Sequence, residues 1–555
     1  MTHAVPHLVC SSSPAALVTK SQIDSIESEI DAEFADSELL NLPYAQRVWT
    51  LLSVVEDHHF KFIVHSPLSE QRARAHVDAL MNELTYPMRV CHAFSSTQTP
   101  TQSVREMNNE HYIWASEWLE RAESYLQFAS IFPLFRTGQI GLVVEGDRLA
   151  TSDWRLTDLS YEVYDRFTEK RDPQDEQEID PNEVAAAVLA SLRMTNDAFS
   201  VDFTRRLVQG LQKTYGERMM LRHRLPSGWK FSRFSLQEYR DIFVCLQSIA
   251  HGWFLARQIA VQRRIAHFGY KSSVWTPRKG ALVAILSRST GHSKQKVSEV
   301  LRYITFGEMG VRNPDVAIQP LFDLGNGQYA VSPFLIIHTN AERNLCVLLN
   351  QIPEELAVYS RLVDQKEDEA RSTLIQSLQG LGLEFRHGQL AETDIDLALI
   401  DRNRRKCLCI EIKWFIEPAE IREVANRSKE IKKGISQAVK IRTAFERGDS
   451  TLLELLGIDA GYDLLTMVGS DNSIGGPSVQ DATVPVTKLW HLAAEIRRAG
   501  SLEDVFAWLR SRAYLPTAAD YRVVETPIQV GKWHSSWYAI DYLHDEPGWK
   551  TPEAC

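Results

Sequence analysis

Between Thr393 and Phe415 the chain alternates so regularly that it leaves one local structure open. Thr393 to Ile400 sets Ile395, Leu397 and Leu399 against Asp394, Asp396 and Ala398. Lys406 to Phe415 sets Leu408, Ile410, Ile412 and Trp414 against Cys407, Cys409, Glu411 and Lys413. Successive side chains of a strand project to opposite faces, so a period of two reads as strand and not helix. Asp401 to Arg405 (DRNRR) is a polar turn between the two runs. The segment is a β-hairpin, and strands this apolar need other elements to cover them. The hairpin brings Asp396 alongside Glu411 and Lys413, which share a strand face.

The flanking sequence supplies that cover. Asp364 to Leu378 reads as a helix ending near Gly380 and Gly382, and Leu383-Glu384-Phe385 as a short strand. Ala419 to Phe445 reads as a helix and Tyr462 to Val468 as a core strand. Ser470 to Val484 is a Gly/Ser/Asp-rich loop, and Lys488–Ala499 and Leu502–Arg512 are paired helices, the second capped by Ser501. Tyr521 to Ile540 is rich in strand formers and is expected to form a small terminal sheet.

Two acids and a lysine on adjacent strands suit phosphodiester hydrolysis. Mg²⁺ takes a few carboxylate oxygens plus waters and leaves positions for a substrate phosphate. A bound ion acidifies water and offsets charge on the phosphate, and Lys413 can position or activate the attacking water. A bare E-x-K triplet carries little information. Glu430-Ile431-Lys432 repeats it in a helical pattern, where residues two apart diverge by about 200°. Glu411-Ile412-Lys413 differs because it lies in a strand that follows an acid-bearing strand.

This stretch resembles the PD-(D/E)xK nuclease superfamily over roughly residues 364–470, with Asp396 matching the first carboxylate and Glu411-Ile412-Lys413 the E-x-K triplet. Ile395 stands where the family name has Pro. The resemblance implies Asp396, Glu411 and Lys413 as catalytic residues, with Gln437 on the following helix. It implies Asp396, Glu411, the Ile412 carbonyl and Glu369 as metal ligands, with Glu367 the next candidate after Glu369. The implied cofactor is Mg²⁺ or Mn²⁺. Arg402, Arg404, Arg405 and Lys406 in the turn, and Arg422, Arg427, Lys429, Lys432, Lys433 and Lys440 on the helix, form the expected nucleic-acid surface. For the helix, a solvated face laced with Glu420, Glu423 and Glu430 is an equal reading. The implied reaction is hydrolysis of DNA in a bacterial restriction or phage-defence setting. The alternatives are an RNA-cleaving nuclease and a non-catalytic nucleic-acid-binding or scaffold protein of nuclease-like fold, in which Lys413 merely pairs with an acid.

The expected fold class is α+β and multidomain. A mostly α-helical N-terminal region precedes a C-terminal α/β domain that the resemblance makes restriction-endonuclease-like, with a mixed central sheet. Residues 1–170 form one helical region, 183–350 a second, and 360–555 the nuclease-like domain with its extension. In the first region a helix is expected with Ser21 as its cap, then others over Leu68–Glu83 and Asn109–Ala129. Gly138–Ala150 is a hairpin turning at Glu145-Gly146-Asp147, and Lys170–Asn182 an exposed acidic linker. In the second, residues 280–306 suggest two short helices around Thr290-Gly291-His292. They are either a helix-turn-helix that touches DNA or a helical hairpin packed in the domain. Gln319–Ile337 is expected to be a β-hairpin turning at Gly325-Asn326-Gly327.

Composition narrows the classes. The 555 residues carry a net charge of −11, so no global basic field attracts nucleic acid and a local patch must do so. Seven scattered cysteines with no CxxC pair fit reduced thiols and a cytoplasmic protein. The apolar run Ile242–Ala260 is broken by Gln247, His251 and Arg257 and reads as a buried or half-buried helix, so no membrane partner is expected. A protein partner or a second copy of the chain is left open. There is no GxxxxGK[ST], GxSxG or HExxH motif, and Asp57-His58-His59 lacks a third ligand.

Overall fold

A computed structural model describes residues 18–543, apart from 66–69, 96–105, 137, 139, 153–158, 168–181, 196–197, 217–218, 220–224, 226–227, 264–269 and 416–420. Four helices open the chain: α1 (Lys20–Ala35), α2 (Tyr44–His65), α3 (Glu70–Ala93) and α4 (Asn109–Arg136). Thr19, not Ser21, caps α1, through a capping box in which Gln22 reaches back to the Thr19 N–H. The hairpin β1 (Gly141–Glu145) and β2 (Arg148–Ser152) follows, with Gly146 supplying the positive φ of its turn. Next come α5 (Ser160–Phe167), α6 (Asn182–Ser191), β3 (Leu192–Met194), β4 (Phe199–Val201) and α7 (Arg205–Leu211). The acidic linker expected over 170–182 lies outside the described residues except for Asn182.

The middle of the chain is built around α8 (Leu236–Gln262), capped by Ser235 and Glu238 and buried along most of its length. This is the broken apolar run, and its polar members are satisfied inside the protein: Gln247 donates to the carbonyls of Ile336 and Thr339. Around it lie α9 (Lys279–Thr290), α10 (Lys294–Tyr303), β5 (Leu321–Asp323), β6 (Tyr329–Val331), α11 (Pro333–His338) and α12 (Ala341–Leu349). The hairpin expected over 319–337 stops at Val331. Ser332 caps a helix there, with Pro333 at its first turn, so the apolar run 333–337 is helical. No helix among the described residues is long and apolar enough to cross a membrane.

The remainder comprises α13 (Leu356–Ser377), β7 (Glu384–Gln389), β8 (Asp394–Asp401), β9 (Lys406–Lys413), α14 (Ile421–Glu446), α15 (Ser450–Leu456), β10 (Asp463–Ser470), β11 (Val486–Lys488), α16 (Leu489–Ala499), α17 (Leu502–Ser511), β12 (Tyr521–Val530) and β13 (Trp533–Tyr542). The central sheet has the order β11-β10-β9-β8-β7. Its β7, β8 and β9 are antiparallel neighbours, whereas β9, β10 and β11 run parallel, so the sheet is mixed. Apolar residues cover both faces. Leu399, Leu408 and Ile410 pack with Leu374 of α13 and Leu492 of α16, while Ile400, Cys407 and Cys409 pack with Ile441 of α14 and Leu452 of α15. Coverage on both faces is what a parallel-containing sheet requires. Cys407 and Cys409 are thus core residues.

Two elements cross between the sequence segments. The terminal strands β12 and β13 do form a sheet, but it is completed by β2 and β1 in the order β1-β2-β13-β12. Ile528, Val530, Trp533 and Trp537 are buried in the core of α1–α4. In return, Tyr161 and Tyr164 of α5 enter the core of the mixed sheet, where the Tyr164 hydroxyl bonds Thr487 at 2.7 Å and His491 at 2.9 Å.

Candidate active site

The site begins with an irregularity in β8. Its pairing with β7 runs from Arg386 opposite Ala398 to Gly388 opposite Ile395, so two residues, Asp396 and Leu397, face the single His387. This is a β-bulge, which breaks the alternation of the strand and re-aims the side chains beside it. The face assignment made from alternation is corrected accordingly: Ile395 packs with Ala398 and Ile400, not with Leu397 and Leu399. Pairing between β8 and β9 ends at Leu397 opposite Ile410, while β9 continues against β10 as far as Lys413 opposite Ser470. The sheet forks at this point. The Ile412 N–H, left without a strand partner on that side, donates to Asp396 Oδ2 at 2.8 Å. The buried main-chain donor is satisfied, and the Asp396 carboxylate is held against the end of β9.

Three carboxylates meet in the fork. Oxygens of Asp394, Asp396 and Glu411 all lie within 4.8 Å of one another, the one such group of metal-ligand side chains among the described residues. Asp394 is exposed, Asp396 half-buried and Glu411 buried. Lys413 Nζ donates to Glu411 Oε1 at 2.7 Å, and Glu411 Oε2 is buried with no hydrogen-bond partner. An unpaired buried carboxylate oxygen costs free energy unless a proton or a cation takes it up. The clustered oxygens and this orphan atom fit a divalent cation. The Ile412 side chain is in the core, and its main-chain N–H holds Asp396.

Burial, and then the Asp396 charge, push the Glu411 carboxyl up to about 7. Burial also raises Asp396 against the opposing Ile412 hydrogen bond and Lys413. Burial alone would lower Lys413, but Glu411, Glu367 and Asp396 together outweigh it and hold the ammonium above its ordinary value. Lys413 therefore stands in the fork as a cation and a hydrogen-bond donor.

Glu367, not Glu369, is the α13 acid that faces the fork. Glu367 is half-buried, accepts from the Trp414 N–H at 3.4 Å and is raised mainly by burial, with Lys413 opposing. Glu369 is exposed and pairs with Lys366 at 2.8 Å. The reason is helical phase. Leu362, Ala370 and Leu374 are the buried positions of α13, and Glu367 precedes Ala370 and Leu374 by three and seven residues on the same stripe, whereas Glu369 does not. Asp394 was not among the expected ligands, although strand parity with Asp396 was the signal for it.

The three turn arginines sit at the other end of the hairpin, some five or six residues of strand, or about 18 Å, from the fork. Each is engaged there: Arg402 with Glu384 at 2.8 Å, Arg404 with Asp401 at 3.2 Å and Arg405 with Asp459 at 2.5 Å. They fasten the β8–β9 turn and lie away from the acid cluster. Lys406 is likewise paired, with Asp463 and Glu503. The α14 residues are nearer. Lys440 lies 3.4 Å from the carbonyl of Glu392, just before β8; Lys432 is exposed, and Lys433 is exposed and pairs with Glu430. The Arg422 side chain lies outside the described residues.

Gln437 is half-buried on α14, three residues after Gly434. Gly434 is where the helix meets the site, since a Cβ there would lie 3.2 Å from Glu411 Cγ and 3.3 Å from Val468. Replacing Gly434 with Leu is expected to lower stability by about 1–3 kcal/mol through overpacking. Gly434→Ala should change it by less than about 1 kcal/mol, because the gain in helix propensity offsets the tight contact. Thermal unfolding measures both; a Leu variant as stable as the parent would contradict the close approach.

Comparison with protein-family models, with curated proteins and with solved structures finds no match to this chain. The functional reading therefore stands on the geometry of the site.

Proposed function

We propose that this chain is a metal-dependent nuclease of the PD-(D/E)xK kind, hydrolysing phosphodiester bonds of DNA. The observation that supports it most is the fork itself: three carboxylates within 4.8 Å, one with an orphaned buried oxygen, and a lysine cation on the next strand residue of the same face. Asp394, Asp396 and Glu411 would hold Mg²⁺ or Mn²⁺, which supplies an acidified water and neutralises charge on the scissile phosphate. Lys413 is held protonated, so its part is to donate: it orients a phosphate oxygen and stabilises the negative charge that grows there. Glu367 helps to keep that ammonium charged and ties α13 to the end of β9. On α14, Lys440 lies beside the Glu392 carbonyl just before β8, and Gln437 follows Gly434 by three residues.

Cleavage of supercoiled, linear and single-stranded DNA, with an RNA control, in Mg²⁺ or Mn²⁺ tests this reading. Metal-dependent cutting of DNA is the expected result. Cutting of RNA alone would move the substrate class, and failure to cut any of them would contradict the proposal.

The proton on Glu411 gives the site a pH dependence of known sign. Metal binding needs the carboxylate, whose pKa is raised to about 7, so affinity should fall as pH drops below 7 and level off above it. The apparent Mn²⁺ dissociation constant at pH 6 is expected to be roughly tenfold weaker than at pH 8, close to one proton displaced per ion. A Mn²⁺ titration at the two pH values measures this, and equal affinities would contradict the assignment of Glu411 as a ligand.

A further inference from the structure

The segment that the nuclease reading leaves unused is α9–α10 with its neighbouring strands. Helix α9 ends at Gly291 in the left-handed conformation, and Ser293 caps α10, so the two helices are joined by three residues. Leu282 and Leu286 of α9, and Val297, Val300 and Leu301 of α10, pack into one core with α8. That arrangement, two short helices joined by a tight Gly-containing turn and backed by a third, is a helix-turn-helix. The chain then passes directly into the β5–β6 hairpin. The Trp275 and Val331 main chains exchange hydrogen bonds at 3.0 and 2.8 Å, and Lys279 N–H donates to Gly327 O, so the segment before α9 lines the outer edge of the hairpin. Helix, strand, two helices and hairpin thus form one unit.

Its charge sets it apart. Residues 278–331, from the start of α9 to the end of the hairpin, contain seven Lys or Arg against four acidic residues, Glu299, Glu308, Asp315 and Asp323, in a chain whose net charge is −11. Val297, Val300 and Leu301 face inward, whereas Lys294, Gln295 and Arg302 on α10 are exposed. Among the described residues Arg278, Arg288 and Lys294 are exposed with no carboxylate partner, and Arg302 is exposed beside Glu299 at 3.7 Å. A solvated helix face in an acidic protein has no need of this bias; a polyanion does.

We infer that α10 is the helix that enters the major groove of duplex DNA, with Lys294, Gln295 and Arg302 facing the nucleic acid and the β5–β6 turn lying alongside. The occupant is B-form DNA because its major groove admits an α-helix, whereas the deep, narrow major groove of duplex RNA does not. This rests on DNA as the substrate of the acid cluster and adds where the duplex is held. The two sites are mechanically joined, since Trp414, next to Lys413, is buried in the same core as α8, α9 and α10.

The test is binding of a short labelled DNA duplex by the full chain carrying Lys413→Ala, in EDTA, followed by fluorescence anisotropy over a range of salt. Combining Lys294→Glu with Arg302→Glu is expected to weaken binding at least about tenfold and to lower the salt slope by roughly two, about one per lost phosphate contact. Lys20→Glu, an exposed reversal on α1, controls for charge, and thermal unfolding checks that each variant is folded. Binding of the double variant within about twofold of the parent, a loss no larger than that of Lys20→Glu, or equal affinity for duplex RNA would overturn the inference. Cutting is assayed separately on the chain with Lys413 intact, so the binding result stands whichever way the nuclease test falls.

Discussion

Asp396→Ala and Lys413→Ala are each expected to reduce metal-dependent cleavage by about a thousandfold or more, with the protein still folded. The magnitude follows from what each group does. Loss of one preorganised donor facing developing negative charge costs about 10²–10³ in rate, and Lys413 carries a full charge as well. Asp396→Ala removes a proposed metal ligand and also the acceptor that holds the Ile412 N–H across the fork. Glu367→Gln should cost far less, because Glu367 touches the Trp414 main chain and acts on Lys413 through space. Single-turnover rates with far-UV circular dichroism on each variant measure this. Cutting that survives both alanine substitutions would remove the fork from the chemistry.

The second large effect concerns stability. Ending the chain after Asp520 removes β12 and β13, and with them Ile528, Val530, Trp533 and Trp537 from the core of α1–α4. At about 1.5–3 kcal/mol for each buried apolar side chain, the loss is roughly 6–12 kcal/mol, comparable with the whole stability of a domain. The truncated protein is expected to be unfolded or insoluble. Trp537→Ala alone should cost about 3–5 kcal/mol. Thermal and denaturant unfolding decide the matter; a truncated chain that melts within a few degrees of the parent would show that the terminal strands are an appendage.

The hairpin carrying Asp396, Glu411 and Lys413 was legible because both strands alternate over many residues, and alternation is a local signal. Helices α9 and α10 were legible because Val297, Val300, Leu301 and Ile304 recur at helical spacing and Gly291 marks the turn. What alternation could not show is the bulge at Asp396–Leu397, since an extra residue is defined only against the partner strand β7. Helical phase separates Glu367 from Glu369, and the buried stripe of α13 through Ala370 and Leu374 carried that information. Arg402 and Arg405 of the β8–β9 turn read as a phosphate surface because their partners Glu384 and Asp459 lie elsewhere in the sequence. The pairing of β13 with β2 joins residues 386 positions apart, His534 with Arg148, and no local pattern encodes it. The run 333–337 is apolar enough for either strand or helix, and Pro333 after Ser332 was the one cue for a helix.

Cleavage depends on the substrate offered, whereas ion binding at the fork does not, so the most direct test of the central claim is a Mn²⁺ titration followed by electron paramagnetic resonance. Wild-type protein at pH 8 is compared with Asp396→Ala and Glu411→Gln. The expected result is an ion bound in the wild type and lost from both variants, with Asp394, Asp396 and Glu411 as its side-chain ligands. Mn²⁺ binding that is absent from the wild type, or that is unchanged in both variants, would contradict a metal-dependent site at the fork.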